Sequence, residues 1–212
     1  VAHYDLEEQE QIDTLKTWWK MNGNLVTGAV TVVCLCIIAW QGWNWYQRNQ
    51  AAQASGIYGV LEHAVATGDA QKTKAAAGEL AEKFSGTTYA ALGALLAGKQ
   101  SFEAGDLKTA KVQLAWAAEH AKDELRDLAR LRLAAVLLDE KAYDEALKQV
   151  MSSGGPEFAP RFDELKGDIL AAQGKKAEAH AAYRAALANS LLKPGVGREV
   201  LQQKFDSLGE AV

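Results

Sequence analysis

Cysteine is almost missing from this sequence. The 212 residues include two cysteines, Cys34 and Cys36, and both lie in one apolar segment. Residues 51–212 contain none, which excludes disulfide bridges and cysteine-based zinc sites from that region. A domain without cysteine is compatible with an oxidising or a reducing compartment, so this absence does not choose between the two.

Proline is scarce, and the chain has no excess of basic charge. The chain has 3 prolines and a formal net charge of −4, and residues 51–212 hold 20 Lys and Arg against 22 Asp and Glu. Because no basic stripe is visible, no nucleic-acid partner is predicted. Ala, Leu, Glu, Lys and Gln dominate from residue 51 onward, and these residues favour helix over strand.

The residue patterns of catalytic and metal sites are absent as well. No two histidines have a metal-binding spacing such as H-E-x-x-H, and no G-x-S-x-G motif is present. A surface or helix-face position is the ordinary explanation for each of His3, His63, His120 and His180. The sequence therefore predicts no enzyme and no cofactor or metal.

One long stretch has no charged residue. No Asp, Glu, Lys or Arg occurs from Met21 to Gln47, and a helix of about 20 apolar residues is enough to cross the hydrocarbon core of a bilayer. Aromatic residues gather at membrane interfaces, and here Trp18 and Trp19 precede the stretch while Trp40, Trp43, Trp45 and Tyr46 lie near its end. A membrane span is predicted. A buried core helix and a cleaved signal peptide are the alternatives.

Charges beside the span suggest its orientation. Lys16 and Lys20 precede it and Arg48 follows it, so the positive-inside rule favours a cytoplasmic N-terminus by two charges to one. In a bacterium this corresponds to a single-pass inner-membrane protein. The predicted regions are a cytoplasmic juxtamembrane segment at 1–22, a transmembrane helix in the lipid bilayer at 23–47, and a periplasmic domain at 48–212.

One face of the predicted span carries small and polar residues. Asn24, Thr27 and Thr31 are spaced i, i+3, i+7, and Gly28 lies beside them. Residues of these types mediate contacts between helices in lipid. We therefore predict that these four residues contact another membrane helix.

The region after the span repeats with a period near 34 residues. Turn-like dipeptides recur at Gly105–Asp106, Lys141–Ala142 and Gly174–Lys175. Small residues recur in three columns, which are Gly98, Ala134 and Gly167; Ala110, Ala146 and Ala179; and Ala117, Ser153 and Ala186. Each unit is thus predicted to be a helical hairpin, and hairpins of this kind stack because one alone cannot bury its apolar face.

These features resemble the tetratricopeptide repeat. Gly68–Asp69 lies upstream of the first regular turn, so Ala51–Phe84 is predicted to form a fourth, degenerate hairpin. After Pro194, an apolar stripe predicts a capping helix. The predicted fold class is all-α, with an N-terminal transmembrane helix followed by a tetratricopeptide-like α-solenoid and a C-terminal capping helix.

The first helix of each unit lines the concave surface of such a solenoid, where other chains bind. By repeat register, we predict a protein-binding groove formed by Leu92, Leu95, Lys99, Phe102, Leu128, Leu131, Ala135, Leu138, Arg161, Glu164 and Asp168. The groove residues that come first in the chain are mainly apolar, and the last ones are charged. This distribution suits a peptide that buries side chains at one end and pairs charges at the other. Ordinary core positions are the alternative for Leu92, Leu95, Leu128 and Leu131, because a register error of one residue reassigns them.

The N-terminal half carries a more specific pattern. The run EQIDTLKTWWKMNG at residues 10–23 leads into the span, and AEKF at 81–84 and TYAAL at 88–92 follow. Together with the repeats, these residues resemble the YfgM-like family, the ancillary subunits of the bacterial SecYEG protein-export channel. The resemblance implies ties to the SecYEG translocon and to a membrane-anchored periplasmic chaperone of the prolyl-isomerase type, and it implies no catalytic residues.

Two functions remain open at this stage. The first is a membrane-anchored interaction scaffold that links the export channel to periplasmic chaperones. The alternative is a membrane-bound regulator that binds a cytoplasmic signalling protein through residues 4–20.

Overall fold

The computed structural model describes residues 6–151, 154–189, 191 and 194–209. Within these residues there are nine α-helices and no strand, which confirms the all-α prediction. Residues 1–5 of the predicted juxtamembrane segment and Ser153 of the third small-residue column lie outside the described residues. The helices are α1 (Leu6–Ala66), α2 (Ala70–Lys83), α3 (Thr88–Glu103), α4 (Leu107–His120), α5 (Asp123–Asp139), α6 (Tyr143–Met151), α7 (Ala159–Ala172), α8 (Lys176–Ala188) and α9 (Val196–Ser207).

The chain divides into two compact units, Val1–Asn49 and Gln50–Val212, and the division falls within α1. In the described part of the first unit, large apolar side chains such as Leu35, Ile38 and Trp40 are exposed. Among the described residues, α1 is the one helix that is long and apolar enough to cross a membrane, and 6% of its most apolar stretch is buried. An uncovered apolar helix surface of this length is suited to lipid.

In the second unit, consecutive helices pack against each other from α2 to α9, as expected for stacked hairpins. The last turns of α1 form the degenerate first hairpin with α2, and Leu61 and Leu80 are fully buried there. The largest cluster of buried apolar residues extends from α3 to α7. At the other end, Leu201 of α9 is fully buried and the ring of Phe205 stacks on that of His180 at 3.9 Å. The tetratricopeptide-like solenoid and its capping helix are therefore both present.

All four hairpins turn in the same way. One residue in each turn has a positive φ, namely 72° at Gly68, 78° at Gly105, 60° at Lys141 and 78° at Gly174. In each turn the next backbone N–H donates to the carbonyl five residues earlier, for example from Asp106 to Ser101 at 2.9 Å and from Ala142 to Leu137 at 2.8 Å. This is the Schellman end of a helix, in which a left-handed residue satisfies the last free carbonyls. The recurring dipeptides in the sequence are thus one turn repeated four times.

Lys141 occupies a turn position that is glycine in the other three hairpins. Replacing Lys141 with glycine should therefore stabilise the protein. A side chain in the left-handed region costs about 1 kcal/mol, and glycine avoids that cost. For Lys141→Gly we expect the free energy of unfolding to rise by about 1 kcal/mol and the melting temperature by about 2–4 °C. Thermal unfolding followed by circular dichroism measures both. Lys141→Ala is the control, since it removes the charge and keeps the strain; equal stability of the two variants would contradict this explanation.

The small-residue columns make room for larger residues of the paired helix. A Cβ built on Gly98 would lie 2.8 Å from Cγ of Leu114, and one built on Gly167 would lie 2.3 Å from Cε1 of Tyr183. Leu114 and Tyr183 each lie four residues beyond the buried alanine of their own helix, at Ala110 and Ala179. Each glycine therefore faces the large side chain of the next helix, which is how α3 packs against α4 and α7 against α8.

Candidate protein-binding groove

A cavity of about 200 Å³ lies between α3, α4 and α5 and is partly open to solvent. Its walls are mainly apolar, and Leu114 closes it on the side of α4. The absence of a side chain at Gly98 is what allows Leu114 to reach this position. The residues that line the cavity are Gly98, Lys99, Phe102, Leu114, Arg132, Ala135 and Val136.

Three of the predicted groove residues meet in this cavity. Lys99 and Phe102 come from α3 and Ala135 comes from α5. Phe102 is 40% exposed although it is a large apolar residue, and Lys99 pairs with Glu103 at 3.6 Å in the next turn of the same helix. The structure thus brings together an exposed ring, an apolar hollow and a positive charge, which is an arrangement that can hold an apolar side chain of another protein.

The remaining apolar candidates lie elsewhere. Leu128, Leu131 and Leu138 are half-buried and pack against the core, and Leu92 is also half-buried. Leu95 is 3% exposed and belongs to the core, so it is not accessible to a ligand and its placement in the groove is corrected. The reason is that α3 packs against α2, α4 and α5, and Leu95 lies on a covered side of the helix while Lys99 and Phe102 stay exposed.

The charged candidates form a separate cluster at the junction of α7, α8 and α9. Arg161 pairs with Glu164 at 3.1 Å, and Nζ of Lys204 lies 3.0 Å from Glu164 and 2.8 Å from Asp168. The hydroxyl of Tyr183 donates to Asp168 at 2.7 Å. Glu164 and Asp168 are therefore engaged by the capping helix, and this cluster holds α9 in place.

The pKa values of this cluster reflect its burial and its charges. Burial raises the pKa of Tyr183, and the hydrogen bond to the Asp168 carboxylate raises it further. Burial lowers the pKa of Lys204, but its hydrogen bonds to Asp168 and Glu164 outweigh this, so the net pKa is raised. Both groups therefore keep their protons more firmly in the folded chain than in the unfolded one.

The membrane-contact candidates belong to the first unit. Asn24, Thr27, Gly28 and Thr31 are all exposed on α1, and a Cβ on Gly28 would meet nothing within 4 Å. The hydroxyl of Thr31 donates to the carbonyl of Thr27 at 2.8 Å, so its polar group is satisfied within the helix. This face is free to approach a second helix closely, and the contact itself stays a prediction.

Comparisons with known proteins agree with this architecture. Residues 16–210 match the family described as tetratricopeptide repeat-like domain. A protein of Neisseria gonorrhoeae named "Ancillary SecYEG translocon subunit" is 34% identical over 208 residues, which cover 96% of this chain and 98% of that protein. This chain belongs to the ancillary SecYEG translocon subunit family.

Further members of the ancillary SecYEG translocon subunit family are also similar to this chain over most of their length. The Haemophilus influenzae protein of that name is 33% identical over 86% of this chain and 90% of its own length. The Escherichia coli protein of that name is 30% identical over 95% of this chain and 96% of its own length. No solved structure matches the chain.

In this member of the ancillary SecYEG translocon subunit family, Arg132 was not among the predicted groove residues. Arg132 lines the cavity, and its guanidinium donates to the carbonyl of Leu95 at 3.4 Å. A signal for it was present, because Arg132 follows the groove candidate Leu128 by four residues and so shares its helix face. Within the described ranges, no group of three or more His, Cys, Asp or Glu is placed to hold a metal ion.

Proposed function

We propose that this chain is a membrane-anchored scaffold of the bacterial protein-export channel. In this proposal α1 anchors the protein in the inner membrane with its N-terminus in the cytoplasm, and the tetratricopeptide-like unit lies in the periplasm. The groove beside Phe102 binds other chains and links the SecYEG translocon to a membrane-anchored periplasmic chaperone of the prolyl-isomerase type. No catalytic step is part of this function.

The accessible apolar cavity between α3 and α5 is the observation that carries the proposal. A large apolar residue that is 40% exposed beside a preformed hollow provides a pocket for a side chain of another protein. The relatives support the choice of partner, since proteins similar over nearly the whole chain are named as ancillary subunits of the SecYEG translocon. The exposed apolar surface of α1 supports the membrane anchor.

Site-specific photo-crosslinking in living cells tests this function. A photoreactive amino acid at Phe102 should capture a periplasmic chaperone or an exported chain, and one at Thr27 should capture a membrane subunit of the channel. The matched controls are Val112, which is 60% exposed on α4 outside the cavity, and Val33, which is 56% exposed on the opposite face of the span. The controls should give weaker crosslinks because contacts at the groove and at the small-residue face are specific.

Two outcomes would count against the proposal. If neither Phe102 nor Thr27 captures a component of protein export, the scaffold function is wrong. If Trp18 instead captures a soluble cytoplasmic signalling protein, the regulator function is favoured, and the exposed face of Leu15 and Trp18 on α1 is then the binding surface.

A further inference from the structure

Two positive charges stand at the mouth of the apolar cavity. Arg132 and Lys99 both line it, and they come from the two helices that face each other across it. Lys99 is more than half exposed and reaches Glu103 at 3.6 Å, a long distance for an ion pair between neighbouring turns. The ammonium group can therefore leave this partner for a better one at little cost.

Arg132 differs from the other cations that connect helices. Lys111 pairs with Glu140 at 2.7 Å, and Lys204 pairs with Glu164 and Asp168. Within the part of the chain that the structure describes, no carboxylate forms an ion pair with Arg132, and its one hydrogen bond is to the Leu95 carbonyl at 3.4 Å. A guanidinium has five N–H donors in a planar fork that matches a carboxylate. The other donors have no acceptor among the described residues.

The neighbouring groups allow a negative charge to bind here. The other residues of the cavity wall are uncharged, and within the described residues Glu103 is the one carboxylate that pairs with a residue of this wall. A carboxylate in a partly desolvated position between two cations gains more from them than it would at an open surface. The hollow next to it has mainly apolar walls and suits an apolar side chain. The cavity therefore has two complementary parts, one for an apolar side chain and one for an anion.

We propose that the cavity binds a large apolar residue that is followed by Asp or Glu in the partner chain, with the apolar side chain between Phe102 and Ala135 and the carboxylate on Arg132 and Lys99. This inference rests on the proposed function and adds the chemistry that the groove selects. The carboxylate belongs to a side chain and not to a chain terminus, because a scaffold beside an export channel meets segments within longer chains.

Fluorescence polarisation with short labelled peptides and the full-length protein in detergent tests the inference. All peptides are acetylated and amidated and have a Gly–Ser background around one central pair, which is Phe–Glu, Phe–Gln or Ser–Glu. We expect the Phe–Glu peptide to bind about tenfold more tightly than either of the others, since a charge-assisted bidentate contact and a filled hollow are each sufficient for such a factor.

Substitutions identify the residues of the protein that produce the preference for the Phe–Glu peptide. Arg132→Gln should bring the affinity for Phe–Glu down to that for Phe–Gln, and Arg132→Lys should keep part of the tenfold preference. Ala135→Phe should fill the hollow and weaken binding of both Phe peptides by the same factor. Lys148→Gln is the matched control, because Lys148 is an exposed cation on α6 away from the cavity, and it should leave all affinities unchanged. Thermal unfolding of each variant verifies that it is folded.

The inference is overturned if wild type binds Phe–Glu and Phe–Gln equally, or if the preference survives in Arg132→Gln. It is also overturned if an added peptide with a free C-terminal carboxylate after Phe binds and the internal Phe–Glu peptide does not. If Phe102 still crosslinks to an export component, these outcomes do not contradict the scaffold function. Failure of the inference is therefore distinguishable from failure of the proposed function.

Discussion

Gly167→Ala should lower the free energy of unfolding by about 2 kcal/mol and the melting temperature by roughly 4–8 °C. The added Cβ would lie 2.3 Å from Cε1 and 2.4 Å from Cδ1 of the Tyr183 ring. The ring is rigid and 3% exposed, and its hydroxyl is bonded to Asp168 at 2.7 Å, so it cannot move without breaking that bond. Overpacking then outweighs the gain of about 1 kcal/mol that alanine normally brings to a helix. Urea unfolding followed by circular dichroism measures the difference.

A matched substitution isolates the steric cause. Gly78 lies inside α2, where a Cβ would meet nothing within 4 Å, so Gly78→Ala should raise the free energy of unfolding by about 0.5–1 kcal/mol. The two glycine substitutions should therefore have opposite signs. In a Tyr183→Ala background the clash is gone, and Gly167→Ala should then stabilise the chain. If Gly167→Ala is as stable as wild type, the close approach of α7 and α8 is not as described.

Lys204→Met should release the capping helix and lower the free energy of unfolding by about 2 kcal/mol. The ammonium is the shared partner of Glu164 and Asp168, and methionine keeps the apolar part of the chain while removing the charge. The two carboxylates, which are largely covered, then repel each other without a cation between them. Hydrogen exchange should show faster exchange of the α9 amides in the variant. Lys148→Met, at an exposed position on α6, is the control and should leave both measurements unchanged.

Alkaline pH should reproduce part of this loss in the wild-type protein. The pKa values of Lys204 and Tyr183 are both raised in the folded state, so the folded chain binds more protons than the unfolded chain above about pH 10. Their contribution to stability is complete below that pH and is lost as the pH rises through the folded pKa values. The slope of the free energy of unfolding against pH should be shallower in Lys204→Met, where one of the two groups is missing. Parallel slopes in the two proteins would show that Lys204 does not hold α9 through its charge.

Much of the fold follows from local patterns. The turns at Gly105 and Gly174 follow from the preference for glycine at a left-handed residue after a helix, and the turn at Lys141 follows from the repeat spacing. The membrane span within α1 is also predicted by a local pattern, since any 20 apolar residues in a row are a candidate span. The degenerate hairpin of the last turns of α1 with α2 was found through one further glycine turn, at Gly68.

The groove was predicted less completely. Lys99, Phe102 and Ala135 line the cavity, and their role in binding stays a proposal. Leu95 was assigned to the same surface and is core, because α3 packs against α2, α4 and α5 and the repeat register alone does not show which of its sides stay open. Arg132 was missed because the repeat register selected Leu131 and Ala135 on α5 and passed over the position between them.

The sequence by itself determined the helices, the repeat, the turns and the membrane candidate, because each depends on residues within about one or two helical turns of each other or on one repeated spacing. Only the tertiary structure decided which side chains are covered and which charges are paired. Lys204 and Asp168 are 36 positions apart and meet only because α9 folds back beside α7, whereas Arg132 forms no ion pair with any described carboxylate. Partners that are distant in sequence are chosen by packing, which no local pattern encodes.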